Sequence, residues 1–219
     1  MFGGFDYAVL ERALPLLGQG MLFTLQLTGF AICGGVLFGT LLALMRLAPF
    51  RTVSLLAASY VNFFRSLPLI LVIFWFYFLV PKLIGQPIGG FQSVLVAFIM
   101  FEAAYYCEII RAGIQSVTRN QIYAGYALGL TYVQTMRLII LPQAFRNMMP
   151  VLLTQSIIMF QDTSLVYVVG LKDFLTTADL IANRDNRPVE LFIFAAVVYF
   201  AICLIGSLFA RRLQRKYAI

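Results

Sequence analysis

The sequence predicts an all-α integral membrane protein with five transmembrane helices, its N-terminus outside and its C-terminus in the cytoplasm. Three observations carry this. Of 219 residues, 62% are apolar and 11% are charged, and the mean hydropathy is +0.91. Soluble domains run at about 45–50% apolar and about 25% charged, because they must cover themselves with polar side chains. The apolar residues fall into five runs of bilayer-spanning length, not into the ten-residue alternation of a barrel. Basic residues crowd into alternate loops. A soluble enzyme, a disordered chain and a secreted disulfide scaffold are excluded; three cysteines make no disulfide framework. With no histidine in the chain, His triads, His metal sites and His pH switches are excluded as well. No cofactor and no metal cluster is expected.

Taken in order, Asp6, Glu11 and Arg12 precede the first apolar run, so the start does not read as a cleavable signal peptide. Residues 8–19 are expected to form a short interfacial helix. The first span covers about 20–45, from Gly20 to Met45, and carries Gly35-x-x-x-Gly39, a spacing that lets helices approach closely. The second covers about 54–80 and contains Arg65 and Pro68, where a bend is expected. Its outer end, Phe74 to Phe78, reads as an interfacial aromatic belt. The third, fourth and fifth spans cover about 91–113, 148–170 and 190–210. The whole chain, 1–219, reads as one domain.

Orientation follows from the loops. Arg46, Arg51, Arg111, Arg119, Arg137, Arg146, Arg211, Arg212, Arg215 and Lys216 lie on one side with no acid among them. The other side mixes Arg12, Lys82, Lys172, Arg184 and Arg187 with Asp6, Glu11, Asp173, Asp179, Asp185 and Glu190. The first side is expected in the cytoplasm by the positive-inside rule. The net charge of +7 is therefore a topology signal, spread over several loops, and not a nucleic-acid footprint.

One cytoplasmic segment, 112–147, is long, and about 118–142 of it has the composition of two short helices. Thr118 or Asn120 can cap the first, and Gly129 suits a left-handed end. Thr131 and Gln134 match a capping box for the second, and Pro142 marks where that helix should end or bend. A helix–turn–helix arm that spans nothing is a docking surface for another chain.

Gly129, nine intervening residues and then Ile139-x-Leu141-Pro142 reproduce the spacing of the EAA loop, E-A-A-x(3)-G-x(9)-I-x-L-P. The chain thus resembles the permease subunits of bacterial ABC importers. Ala127 to Leu130, Leu141 to Arg146, Phe64 to Leu69 and Gln161 to Val166 resemble the polar amino-acid branch. Phe101 to Tyr106 and Phe160 to Tyr167 look most like glutamate/aspartate permeases. The resemblance covers about 20–210. It implies an inner-membrane subunit whose arm, through Ala124, Gly129, Leu130, Ile139, Leu141 and Pro142, couples to a cytoplasmic ABC ATPase dimer. It also implies a second permease subunit, sister or identical, and a periplasmic amino-acid-binding protein. The chain departs from the pattern at E-A-A itself, where Tyr123-Ala124-Gly125 stands. The literal Glu102-Ala103-Ala104 lies inside the third span at the wrong distance from Gly129.

Ionisable groups inside spans cost about 2.5–3.5 kcal/mol on insertion scales and are functional candidates by default. Asp162 lies about 20 Å into the fourth span at 1.5 Å per residue, in a polar band with Gln161, Thr163 and Ser164. This reads either as a path wall, with Asp162 facing the ammonium of an amino acid, or as a helix–helix tie. Arg65 suits a substrate carboxylate or a structural ion pair with a carboxylate such as Glu102. Glu102, with Tyr105 and Tyr106, could line the path or pack. Glu108 and Arg111 read as an i,i+3 ion pair, and Cys33, Cys107 and Cys203 as small apolar residues.

No P-loop is present, so ATP hydrolysis is expected on a partner, and with no evident nucleophile–base pair the chain is expected to be a transporter subunit and not an enzyme. The expected function is a permease for a polar, acidic amino acid. Alternatives are the same importer class for glutamine or a basic amino acid, an ion-coupled carrier without an ATPase, and last a membrane-embedded enzyme.

Overall fold

The computed structural model describes residues 6–217, so both ends of the predicted 1–219 domain lie outside the described residues. All regular structure among the described residues is helical. The first helix, α1 (Tyr7–Leu47), has 41 residues. The separate interfacial helix expected at 8–19 does not exist; those residues are the first turns of α1. Their inward positions Val9, Ala13 and Leu17 recur at helical spacing and bury in one core, which gives the chain no reason to break before the apolar run.

The second predicted span is two helices, α2 (Arg51–Arg65) and α3 (Leu69–Ile84), meeting at 103°. Pro68 caps α3 with extended backbone, φ −64° and ψ 135°, and proline disfavours a helical residue before it. The remaining helices are α4 (Gly90–Gln115), α5 (Arg119–Ala127), α6 (Tyr132–Val169), α7 (Phe174–Asp185) and α8 (Pro188–Tyr217). Among the described residues four helices are long and apolar enough to cross a membrane, or five spans if the bent α2–α3 pair counts as one.

The arm's second helix and the fourth span run on as one helix, α6, so of the expectation that Pro142 ends or bends that helix, the ending does not occur. Just upstream of Pro142 the helix widens into a π-helical stretch, Met136–Ile140, and the Leu141 N–H donates to the Met136 carbonyl. The Gln143 side-chain amide donates to the Ile139 carbonyl at 2.9 Å. The helix thus passes its missing N–H by locally changing its hydrogen-bond ladder.

The described residues form two compact units. One contains α1 up to Cys33, Leu67–Ile99 and Ser156–Ile205; the other contains Gly34–Ser66, Met100–Gln155 and the chain from Gly206. In the first unit the α1 residues Val9, Ala13 and Leu17 pack on Phe174, Ala178, Ile181 and Ala182 of α7 and on Leu191 and Ala195 of α8. Asp173 is fully buried and caps α7, accepting from the N–H groups of Thr176 at 2.9 Å and Leu175 at 3.1 Å and from the Thr176 hydroxyl. Thr24 of α1 accepts from the Phe174 N–H at 3.0 Å. A Cβ on Gly20 would stand 2.7 Å from Thr177 Oγ1 and 2.9 Å from the Asp173 carbonyl, so α1 can approach α7 only through a glycine.

Burial pushes the Asp173 carboxyl above its ordinary value, and the hydrogen bonds from Thr176 and Leu175 only partly offset this. A raised folded-state pKa contributes stability that is present below the unfolded carboxylate value, about 3.9, and is lost as pH rises through the folded value. Asp173→Asn keeps a good cap residue and removes the buried charge. Thermal unfolding of the purified complex is expected to show the variant gaining on the wild type as pH rises from about 4 towards 7. A difference independent of pH would contradict this reading.

In the second unit Gly35 and Gly39 place α1 against α4. A Cβ on Gly35 would stand 3.0 Å from Glu102 Cβ; one on Gly39 would stand 2.7 Å from Tyr106 Cβ and 2.9 Å from the Ala103 carbonyl. Glu108 on α4 is held between Arg46 of α1 and Arg111, the latter at 2.6 Å. The i,i+3 pair was legible in the sequence; the second guanidinium comes from a helix 62 residues away in sequence.

Candidate functional site

The arm is built from local rules. Thr118 occupies the N-cap of α5 but makes no side-chain cap bond, and Asn120 lies inside the helix. At the other end Gly129 has φ +77°. Its N–H donates to Tyr126 O at 2.9 Å and the Leu130 N–H donates to Gly125 O at 3.1 Å, the paired bonds of a Schellman ending. Thr131 then opens α6 with both halves of its capping box, Gln134 N–H to Thr131 Oγ1 at 3.3 Å and Thr131 N–H to Gln134 Oε1 at 2.9 Å.

The turn folds α5 back on α6. A Cβ on Gly125 would lie 2.9 Å from Thr135 and 3.1 Å from Ile139 Cδ1. Gly125 thus lets the two helices touch where a larger residue would part them. Val117, Ile140 and Ala144 form the small core beneath, with Ile114, Ile122 and Met136 against it. Asn147 donates to Ser116 Oγ at 2.8 Å and ties the base of the arm to the end of α4. Outward, Ala124, Gly129, Leu141 and Pro142 are exposed, while Leu130 and Ile139 are half-buried. Tyr123, Tyr126, Leu128, Tyr132, Val133 and Leu138 give this face a large exposed apolar surface. Exposed apolar residues also run along the candidate spans, for example Leu22, Leu37 and Phe200.

The intramembrane polar residues divide between the two units. Asp162, Gln161, Thr163 and Ser164 belong to the first, Arg65 and Glu102 to the second. Asp162 ends the α-helical part of α6, which tightens into a 3-10 stretch, Thr163–Val169. Asp162 is half-buried and, among the described residues, makes no hydrogen bond or ion pair. Thr163 is fully buried and returns its hydroxyl to Phe160 O at 2.6 Å. Gln161 and Ser164 line a cavity of about 300 Å³ with Phe192 and Tyr199, and Gln161 Nε2 donates to Cys203 Sγ at 3.3 Å.

Arg65 is exposed at the end of α2 and lies over the Tyr105 ring, 5.4 Å from its centroid. It forms no ion pair with Glu102. Glu102 is fully buried and accepts from Gln155 Nε2 at 3.0 and 3.2 Å, which ties α4 to α6. Sequence reading did not flag Gln155. The polar step Thr154-Gln155-Ser156 inside an apolar span is the signal that could have found it. It also missed Asp173 as a cap, because the rule was applied only to the arm. Among the described residues no group of three or more His, Cys, Asp or Glu could hold a metal ion.

Comparison with known proteins adds four findings. A family model described as the inner membrane component of binding-protein-dependent transport systems matches residues 35–219. The glutamate/aspartate import permease protein GltK of Escherichia coli O6:H1 is 51% identical over 221 residues, covering 98% of this chain and 99% of that protein. The arginine transport system permease protein ArtQ of Bacillus subtilis is 31% identical over 211 residues, covering 96% of each. Among solved structures, an amino acid ABC transporter crystallised with histidines superposes with a TM-score of 0.90 at 33% identity, covering 97% of this chain and 99% of that one.

Proposed function

The chain belongs to the inner membrane components of binding-protein-dependent transport systems, and from that premise we propose that it forms the translocation path of an ATP-driven importer for glutamate and aspartate. The observation that carries the substrate is the 51% identity to a glutamate/aspartate permease along nearly the whole chain. The chain is a permease subunit of the inner membrane and is not itself catalytic. Its transport class brings an ATPase and a binding protein as partners.

The finer reading is as follows. The N-terminus faces the periplasm and the C-terminus the cytoplasm, supported by the basic loops. The arm, α5, Gly129 and the start of α6, enters a groove on a cytoplasmic ABC ATPase dimer. Ala124, Gly129, Leu130, Ile139, Leu141 and Pro142 form or shape the contact. Its support is the stiffness that the Schellman ending and the capping box give a short arm. A second permease subunit, sister or identical, completes the path, since five spans make a thin wall. ATP-driven closure of the ATPase moves the arms and turns the cavity outward; hydrolysis lets it open inward.

Within the path, Asp162 with Gln161, Thr163 and Ser164 offers an anionic, hydrogen-bonding wall for the substrate ammonium. Arg65 offers a planar donor fork for a carboxylate. Glu102 serves the path from its own unit, fixing α4 to α6 through Gln155.

The test is ATP-dependent uptake of labelled glutamate by proteoliposomes holding the native complex purified on this chain, with binding protein added. Competition by aspartate, and not by glutamine or arginine, is expected. Competition mainly by glutamine or arginine keeps the importer and replaces the substrate, a reading favoured by the arginine and glutamine permeases at 31–35% identity. Uptake without ATP would overturn the importer class. In the same assay Arg65→Ala is expected to raise the substrate concentration needed for half-maximal uptake while the complex still assembles.

A further inference from the structure

A cavity of about 320 Å³ lies where α6 and the last turns of α8 meet, lined by Pro142, Phe145, Arg146, Met149 and Leu213. Both helices are candidate spans; the cavity lies near the C-terminal end of α8 and beside residues 142–149 of α6, where the predicted fourth span begins. Arg146 is its one charged wall residue; among the described residues its guanidinium makes no hydrogen bond or ion pair. Arg211, Arg212 and Arg215 are exposed on the turns around Leu213. No acid occurs in the sequence between Glu108 and Asp162, or after Glu190. The site therefore combines an exposed guanidinium without a protein partner among the described residues, surrounding positive charge and an apolar slot.

We infer that this cavity binds an anionic glycerophospholipid. Arg146 takes the phosphodiester through two parallel N–H donors, the neighbouring arginines supply the attraction that selects a net negative headgroup, and Phe145, Met149 and Leu213 hold the first part of an acyl chain. An arginine spent on a protein carboxylate of this chain would be ion-paired; among the described residues Arg146 is not. A soluble phosphate would leave the three apolar walls uncovered. The inference rests on the reading of this face as cytoplasmic, where anionic headgroups are available to a basic span end. Pro142, a motif residue of the arm, forms one side of the cavity, so an occupying lipid would brace the junction between the arm and the membrane.

The test is binding of fluorescent phosphatidylglycerol to the delipidated, intact complex in detergent, with unlabelled lipids as competitors. Saturable binding displaced by phosphatidylglycerol and not by phosphatidylcholine or phosphatidylethanolamine is expected. Arg146→Gln should weaken it about tenfold, as loss of one charge-assisted pair does. Arg146→Lys should retain part of it, and Arg51→Gln, a charge change outside the cavity, should leave it unchanged. Equal displacement by the zwitterionic lipids, or wild-type binding by Arg146→Gln, would overturn the proposal. So would binding that appears only after the ATPase is stripped away, since the cavity would then be an ATPase contact. The readout does not require transport, so a failed uptake assay would strike the functional reading and leave this one to be judged separately.

Discussion

Gly129→Val is expected to leave the complex assembled and hydrolysing ATP, and to cut the substrate moved per ATP about tenfold. The turn residue has φ +77°, and nothing lies within 4 Å of the position its Cβ would take. The cost is thus torsional and not a clash. A left-handed residue with a Cβ costs about 1–2 kcal/mol, more when β-branched, and that shifts the population of the correctly folded turn about 5–30-fold. The two Schellman bonds to Gly125 and Tyr126 would loosen with it. Gly129→Asn should retain most of the coupling, because asparagine tolerates the same backbone region. The check is the ratio of glutamate taken up to ATP hydrolysed in proteoliposomes. An unchanged ratio in the valine variant would sink the assignment of the arm as the coupling element.

Gly39→Ala and Gly29→Ala are expected to change stability in opposite directions, although both replace a glycine within α1. At Gly39 the new methyl would lie 2.7 Å from Tyr106 Cβ, 2.9 Å from the Ala103 carbonyl and 3.0 Å from the Cys107 nitrogen. Two of these are backbone atoms and cannot swing aside, so α1 and α4 must part, at about 1–3 kcal/mol. At Gly29 nothing stands within 4 Å, and the gain in helix propensity is up to about 1 kcal/mol. The midpoint of heat-induced loss of the monodisperse complex in detergent should fall for Gly39→Ala and rise for Gly29→Ala. A fall of the same size in both would mean that helix contact is not the reason for the Gly35–Gly39 pair.

The rest divides by the range of the interaction that decides it. Composition and short-range pattern suffice for the membrane class, the position of the apolar runs, the Gly129 turn, the Thr131–Gln134 box and the Glu108–Arg111 pair. Each depends on composition or on residues within a few positions of one another, where backbone geometry leaves little choice. The family resemblance added the importer class and, through Phe101 to Tyr106 and Phe160 to Tyr167, the acidic substrate proposed for it.

Only the tertiary structure decided the opposite kind of question. Residues 8–19 join α1 because Val9, Ala13 and Leu17 find α7 and α8 to bury against. Pro142 fails to end its helix because a π-helical stretch and the Gln143 side chain take up the altered ladder. Glu102 turns inward to Gln155, 53 residues away, and Arg65 lies over Tyr105 instead of pairing with that acid. Local pattern can mark a polar residue in a span as unusual. Which partner satisfies it is set by helices far apart in sequence, because the free energy of burying the group depends on what packs beside it.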